Sequence, residues 1–212
     1  MGTARTAGAL TPIAHRAEKQ RLLREHRNDV LAATNDALLA PLERAALRVE
    51  EDLCVLIDGV LVGGCVCFLS HWKLTDMIGR PVSEVHARVP HYAEDLSTKV
   101  DSFLRRLTPQ AVVGRRNFTI HELPDLFAPV TPSLQGVPPG DQWLRSERQT
   151  LRRLYRSGAV LFTIKTDQVQ LKDLDVDTRE RLAVRLRAEP ADLIGYRDLT
   201  DRLPALMDYL SP

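Results

Sequence analysis

Cysteine is scarce in this chain: Cys54, Cys65 and Cys67 are the only three in 212 residues. Their odd number and their spacing match neither a Cys-x-x-Cys redox or zinc site nor a four-thiolate iron–sulfur set. All three fall in apolar sequence, which points to reduced core residues of a cytoplasmic protein. A surplus of one charge sign is also missing. The 29 basic and 28 acidic residues leave a formal charge of +1, too little for a general nucleic-acid or membrane-surface binder. No apolar run approaches the roughly 18 residues that span a bilayer. The N-terminus carries Arg5 but no continuous apolar core, so no secretion signal or membrane anchor is expected. Dinucleotide, phosphate-loop, zinc-protease and α/β-hydrolase motifs are absent, as are internal repeats and low-complexity tracts.

What is present suits one globular domain with helical appendages. The chain is 44% hydrophobic and 27% charged, and long enough to bury a core without covalent staples. Residues 1–12 hold small residues, Gly2, Gly8 and Pro12, and are expected as a mobile lead-in. Residues 14–40 carry Ala, Leu, Arg and Glu at helical spacing and predict one or two helices that end before Pro41 and pack as a cap. Leu53–Ile57 and Val60–Phe68 are β-prone runs joined by Asp58-Gly59, a strong hairpin signal. Gly63-Gly64 inside the second run indicates a bulge or a close approach. From Trp72 to Val89 the pattern predicts short helices broken at Gly79. The apolar stripe Tyr92, Leu96, Val100, Phe103, Leu104 and Leu107 then predicts a longer helix closed by Pro109.

Val112–His121 is the next strand. Five prolines and two glycines in residues 124–140 mark a surface loop or the rim of a site. The densest signal is residues 145–166, RSERQTLRRLYRSGAVLFTIKT, a charged arm, a turn at Tyr155–Gly158 and an apolar β-branched arm. It predicts a hairpin. On the first arm neither face is cleanly apolar, so it is either a solvated, salt-bridged strand or a face that meets a polar or anionic group. Asp177 is the expected cap of a helix reaching Arg187, and Pro190 and Pro204 punctuate two further helical pieces.

Strand, strand, helices, then three strands, flanked by terminal helices, gives an α+β fold: an antiparallel sheet with helices on one face. A helical crossover between the second and third strands is the PAS-type arrangement, and IGRPVSEVH (78–86) resembles the helical middle of a PAS domain. His15 and His26 fall on charged helices and are expected to be solvated. His86, beside Val85, Val89 and Pro90, is either a satisfied core histidine or a metal or haem ligand. His121, at a strand end beside Glu122, carries the same two readings.

RSERQTLRRLYRSGAVLFTIKT resembles the hairpin of the haem-dependent oxidative N-demethylase family. EDLCVLIDG, CVCFLSHWKLTDMIGRPVSEVHARVPHYAEDL and RRNFTIHEL follow in the family's order, so the likeness covers roughly residues 45–200. The resemblance implies a PAS-like core binding haem b over residues 45–172, an N-terminal helical extension (1–44) and a C-terminal helical segment (173–212). It implies oxidation of an amine or related nitrogen-containing small molecule by O₂ or peroxide. On the matching motifs, His86 is the expected axial iron ligand, with His121 as the alternative. Arg145 and Glu147 are expected to act in catalysis, and Asn117 and Arg148 to contact the cofactor. Tyr155, Asp167 and Phe118 stand where proline, an aromatic and tryptophan are usual. With neither a dinucleotide fingerprint nor an iron–sulfur cysteine set, the chain would take electrons from a separate reductase. A specialised biosynthetic haem oxidation or rearrangement, and a non-catalytic haem- or ligand-sensing PAS module, are the other readings.

Overall fold

Asp58 and Gly59 both adopt positive φ, 49° and 79°, the pair of conformations a type I′ hairpin turn requires. They join β2 (Asp52–Ile57) to β3 (Val60–Cys65), as the sequence predicts. The structure, a computed structural model, describes residues 12–92, 96–130 and 136–211. The lead-in therefore lies outside the described residues, except for Pro12.

Among the described residues, six antiparallel strands form one sheet in the order β1-β3-β2-β6-β5-β4. The predicted strand is β4 (Val112–His121), and the charged hairpin is β5 (Trp143–Arg153) with β6 (Val160–Gln170). Helices accompany the sheet, so the fold is α+β.

The N-terminal region departs from expectation. Helix α1 (Pro12–Glu25) and the short α2 (Arg27–Val30) lead into β1 (Leu31–Ala33), which pairs with β3. Helix α3 (Leu39–Ala46) runs through Pro41 instead of stopping before it. Pro41 sits in the first turn, where its missing N–H has no intrahelical partner to lose.

The glycine pair shows both expected features. The register shifts between Val55 and Leu56 opposite β3, leaving Val62 unpaired beside Gly63. A Cβ on Gly63 would stand 3.0 Å from Leu42 Cδ1, and one on Gly64 3.1 Å from Leu74 Cδ1 and 3.2 Å from the Leu53 carbonyl oxygen. Both faces of β3 are thus closed by near neighbours.

Strand alternation sorts the core. Leu53, Val55, Cys65 and Leu161 face α1 and α3, with Leu22, Leu23, Leu42 and Ala46 against them. Further along the same face, Ile120, Leu144 and Val169 pack on α7 (Val176–Arg187), α8 (Ala191–Tyr196) and α9 (Leu203–Leu210). The opposite face carries Cys54, Leu56, Leu61, Leu151, Val160 and Phe162. These meet the crossover helices α4 (Leu74–Met77), α5 (Val82–Val85) and α6 (Ser97–Arg106) through Leu74, Val82, Tyr92 and Leu104. The predicted long stripe is helical over Ser97–Arg106, and residues 93–95 lie outside the described set. Helix α7 is capped by Asp175, whose carboxylate accepts from the Thr178 amide at 2.7 Å, not by Asp177. All three cysteines are free and buried. Among the described residues no helix is long and apolar enough to cross a membrane.

Candidate functional site

Gly79 at φ 82° ends the α4 turn, and Pro81 caps α5, which delivers His86 as its C-terminal cap. There the imidazole folds back one turn, and its Nδ1 lies 2.9 Å from the Val82 carbonyl oxygen. A carbonyl only accepts, so Nδ1 carries the proton and Nε2 keeps its lone pair. The Tyr92 ring stacks on it at 4.8 Å and 12°. Burial lowers the His86 pKa first, with a smaller lowering from Arg115 opposing the Val82 bond. The result is a half-buried, neutral, oriented imidazole, the form that binds a metal through nitrogen.

The crossover packs on the odd-numbered face of β5 at its far end, through Leu151 and through Arg153, which donates to the Leu104 and Leu107 carbonyls. Along that face Arg115 Nε donates to Gln149 Oε1 at 2.7 Å, and Gln149 Nε2 donates to Glu147 Oε2 at 2.7 Å. Glu147 Oε1 in turn lies 3.9 Å from Arg145 Nε. Arg115, Gln149, Glu147 and Arg145 therefore form one polar row whose Arg115 end approaches His86 and Tyr92. Gln149 and Arg115 are the members that sequence reasoning missed. Their signal was the odd-residue face of β5 read across to its partner strand, which needs the register.

Arg145 is 0% exposed. Its guanidinium donates to the carbonyls of Leu126 (3.1 Å), Leu69 (3.5 Å) and Phe68. It pins the segment after β3 and the loop after β4 onto the sheet. Arg148 has the opposite strand parity, is exposed, and pairs with Glu51 at 3.0 Å. Asn117 meets Arg197, whose guanidinium nitrogens stand 3.5 Å from Oδ1. Of the six sequence-derived residues, Arg145 and Glu147 share one polar row, whose Arg145 end lies toward His71 and His121 and whose Arg115 end lies toward His86. Arg148 and Asn117 have other partners.

His121, 5% exposed, lies 3.1 Å through Nε2 from Ser70 Oγ and stacks on His71 at 4.8 Å. Burial, then Arg145, His71 and Arg202, push its pKa down to about 3. Both rings line a cleft of about 170 Å³ with Glu122, Asp125, Asp198 and Arg202. Among the described residues, no group of three or more His, Cys, Asp or Glu side chains is placed to hold a metal ion.

Of the two N-terminal histidines, expected to be solvated, His15 corrects the sequence reading, while the His26 side chain is 38% exposed. His15 is fully buried, with Nε2 2.6 Å from the Thr166 carbonyl oxygen, and His26 stacks on Phe127 at 4.4 Å. Lys19, one turn beyond His15, is also fully buried, reaching the Glu51 carbonyl at 2.5 Å and Asp52 at 3.8 Å. His15 and Lys19 thus dock on backbone carbonyls, while Arg21 and Glu25 of the same helix stay at the surface.

A family model described as haem-dependent oxidative N-demethylase, alpha subunit-like, matches residues 14–206. The chain belongs to that family. The match spans the sheet, the crossover and most of the terminal helices of this demethylase-like subunit, so the candidate site lies wholly inside it. No curated protein matches the chain.

Proposed function

We propose that this subunit binds haem with His86 as the axial iron ligand and oxidises an amine or related nitrogen-containing small molecule. The observation that carries the reading is the Nδ1 bond to Val82, which leaves Nε2 free on a neutral imidazole. Such a donor would suit an iron whose remaining ligands come from a macrocycle. Bound haem would supply the oxygen chemistry; the protein sets the ligand, the polarity and the access.

The chain's own contribution follows from the polar row. Gln149 orients the Glu147 carboxylate, and that carboxylate offers the site a negative charge and a proton acceptor. Arg115 offers a guanidinium suited to a carboxylate such as a haem propionate. Arg145, bonded through both terminal nitrogens, holds the overlying segments in place.

A PAS-type fold is part of this reading. Leaving aside β1, the sheet order β3-β2-β6-β5-β4 is second-first-fifth-fourth-third, with the crossover over one face. A cleft of about 260 Å³ opens beside α5, lined by Leu56, Leu104, Val160, Arg105 and Arg153. That is below the roughly 300–1,000 Å³ of a small-molecule site, and neither His86 nor the polar row lines it. Haem b, O₂ or peroxide as oxidant, and a separate reductase remain the expected components.

The test is the ultraviolet–visible spectrum of protein from haem-supplemented cells, reduced, with and without carbon monoxide, for the native chain, His86→Ala and His121→Ala. A Soret band that shifts with carbon monoxide, lost or altered in His86→Ala alone, is the expected result. Loss in His121→Ala alone would transfer the ligand role to His121. No haem in any form would overturn the reading.

A further inference from the structure

Strand β4 ends the sheet, and its two halves are finished differently. Arg197 donates to the carbonyl of Phe118, and Arg202 Nη2 donates to that of Ile120 at 3.0 Å. Backbone groups of the even-numbered residues of β4 therefore point away from β5. A second observation agrees. A Cβ on Gly114 would lie 3.3 Å from the Gln149 carbonyl oxygen, so that carbonyl points toward β4, where Arg115 is its register partner. The period of two then puts the N–H and C=O groups of Val112, Gly114 and Arg116 on the outer edge. Among the described residues none caps those groups. Residues 112–116 are exposed without a break, and Val112 is 61% exposed.

An open edge of this kind is a template for another strand. The charge around it selects the kind. Arg116 stands directly opposite Arg148, and Arg152 opposite Val112. Glu51 answers Arg148, and Arg115 spends its Nε on the neutral Gln149. Among the described residues no carboxylate pairs with Arg116 or Arg152. A second copy of this chain would bring its own arginines to an edge already crowded with them, and like charges across a ladder destabilise it. Carboxylates on the incoming strand would relieve that repulsion.

We propose that the Val112–Arg116 edge of β4 takes up an extended, acidic segment of a partner protein by strand addition. The segment's backbone completes the ladder at residues 112, 114 and 116, and its carboxylates face Arg116 and Arg152. This stands independently of haem binding, since it uses the outer edge and not the face under α5.

The probe is a short fluorescein-labelled peptide of alternating Glu and Val, titrated into the full chain by anisotropy, beside the same peptide with Lys for Glu. Amide hydrogen exchange is read in parallel by NMR. Saturable binding of the acidic peptide is expected, with new protection at the Val112, Gly114 and Arg116 amides. Gly114→Pro, which removes an outward N–H, and Arg116→Glu should each weaken that binding by about tenfold. Arg116→Glu, a surface change that spares the ladder, should also favour the Lys peptide. No saturable binding, protection at other amides, or equal binding by Arg116→Glu would overturn the proposal. Self-association protecting the same amides without peptide would do so too, by assigning the edge to a second copy.

Discussion

Arg145 Nη1 donates to the Leu126 carbonyl at 3.1 Å from a position 19 residues further along the chain, joining the loop after β4 to the middle of the sheet. The same guanidinium holds the Phe68 and Leu69 carbonyls. Arg145→Gln would strand these buried acceptors and leave Glu147 without its cation, a change of roughly 3–5 kcal/mol. Urea unfolding of the haem-free protein measures it. Native stability in that variant would show that these contacts do not hold the segments to the sheet.

His121 makes stability depend on pH. Its pKa in the fold, about 3, lies below the ordinary value near 6.5. Between those values the unfolded chain binds the proton and the folded chain does not. The stabilisation is therefore complete above about pH 6.5 and is lost as pH falls toward 3, amounting to roughly 2–4 kcal/mol. Burial lowers His71 and His86 as well, so His121→Gln should reduce the acid-side slope by about one proton without abolishing it. Parallel curves for the two proteins would refute this.

The cap of α7 gives a paired comparison. Asp175 accepts from the Thr178 amide and hydroxyl at 2.7 and 2.9 Å, and that backbone bond chiefly holds its carboxyl below the usual range. Asp175→Ala is expected to lower stability by about 1 kcal/mol. Asp177→Ala, on an exposed site inside the first turn, should stay within about 0.5 kcal/mol. Thermal melts of both variants decide between the two aspartates.

Gly64→Ala tests the closeness of the crossover to β3. The added methyl meets Leu74 Cδ1 at 3.1 Å on one side and the fixed Leu53 carbonyl at 3.2 Å on the other. Overpacking of this kind costs about 1–3 kcal/mol. Gly59→Ala has open space instead, and pays only for its positive φ. Equal midpoints for Gly64→Ala and the native chain in denaturant would show that β3 can yield.

Features that depend on neighbours in sequence were legible. The Asp58-Gly59 turn, the two arms about Tyr155–Gly158 and the apolar stripe around Leu104 follow from local conformational preference and periodicity. Strand β1 was hidden because three residues, Leu31–Ala33, carry too little periodicity to stand out from helical surroundings, and only pairing with Gly63–Cys65 makes them a strand. The candidate ligand His86 was legible from its motif. Its tautomer was not, because the Val82 carbonyl reaches Nδ1 only once α5 is wound.

The sequence by itself determined the element types apart from β1, the two hairpins, the apolar faces and, through its motifs, the family. The tertiary structure alone decided where the charges go. His15, Lys19 and Arg145 look like surface residues in a one-dimensional pattern, yet all three are fully buried. The reason is that their partners are backbone carbonyls of Thr166, Glu51, Phe68, Leu69 and Leu126. Carbonyls are present at every residue and so leave no mark in the sequence, and which of them a cation meets is set only when distant segments cross.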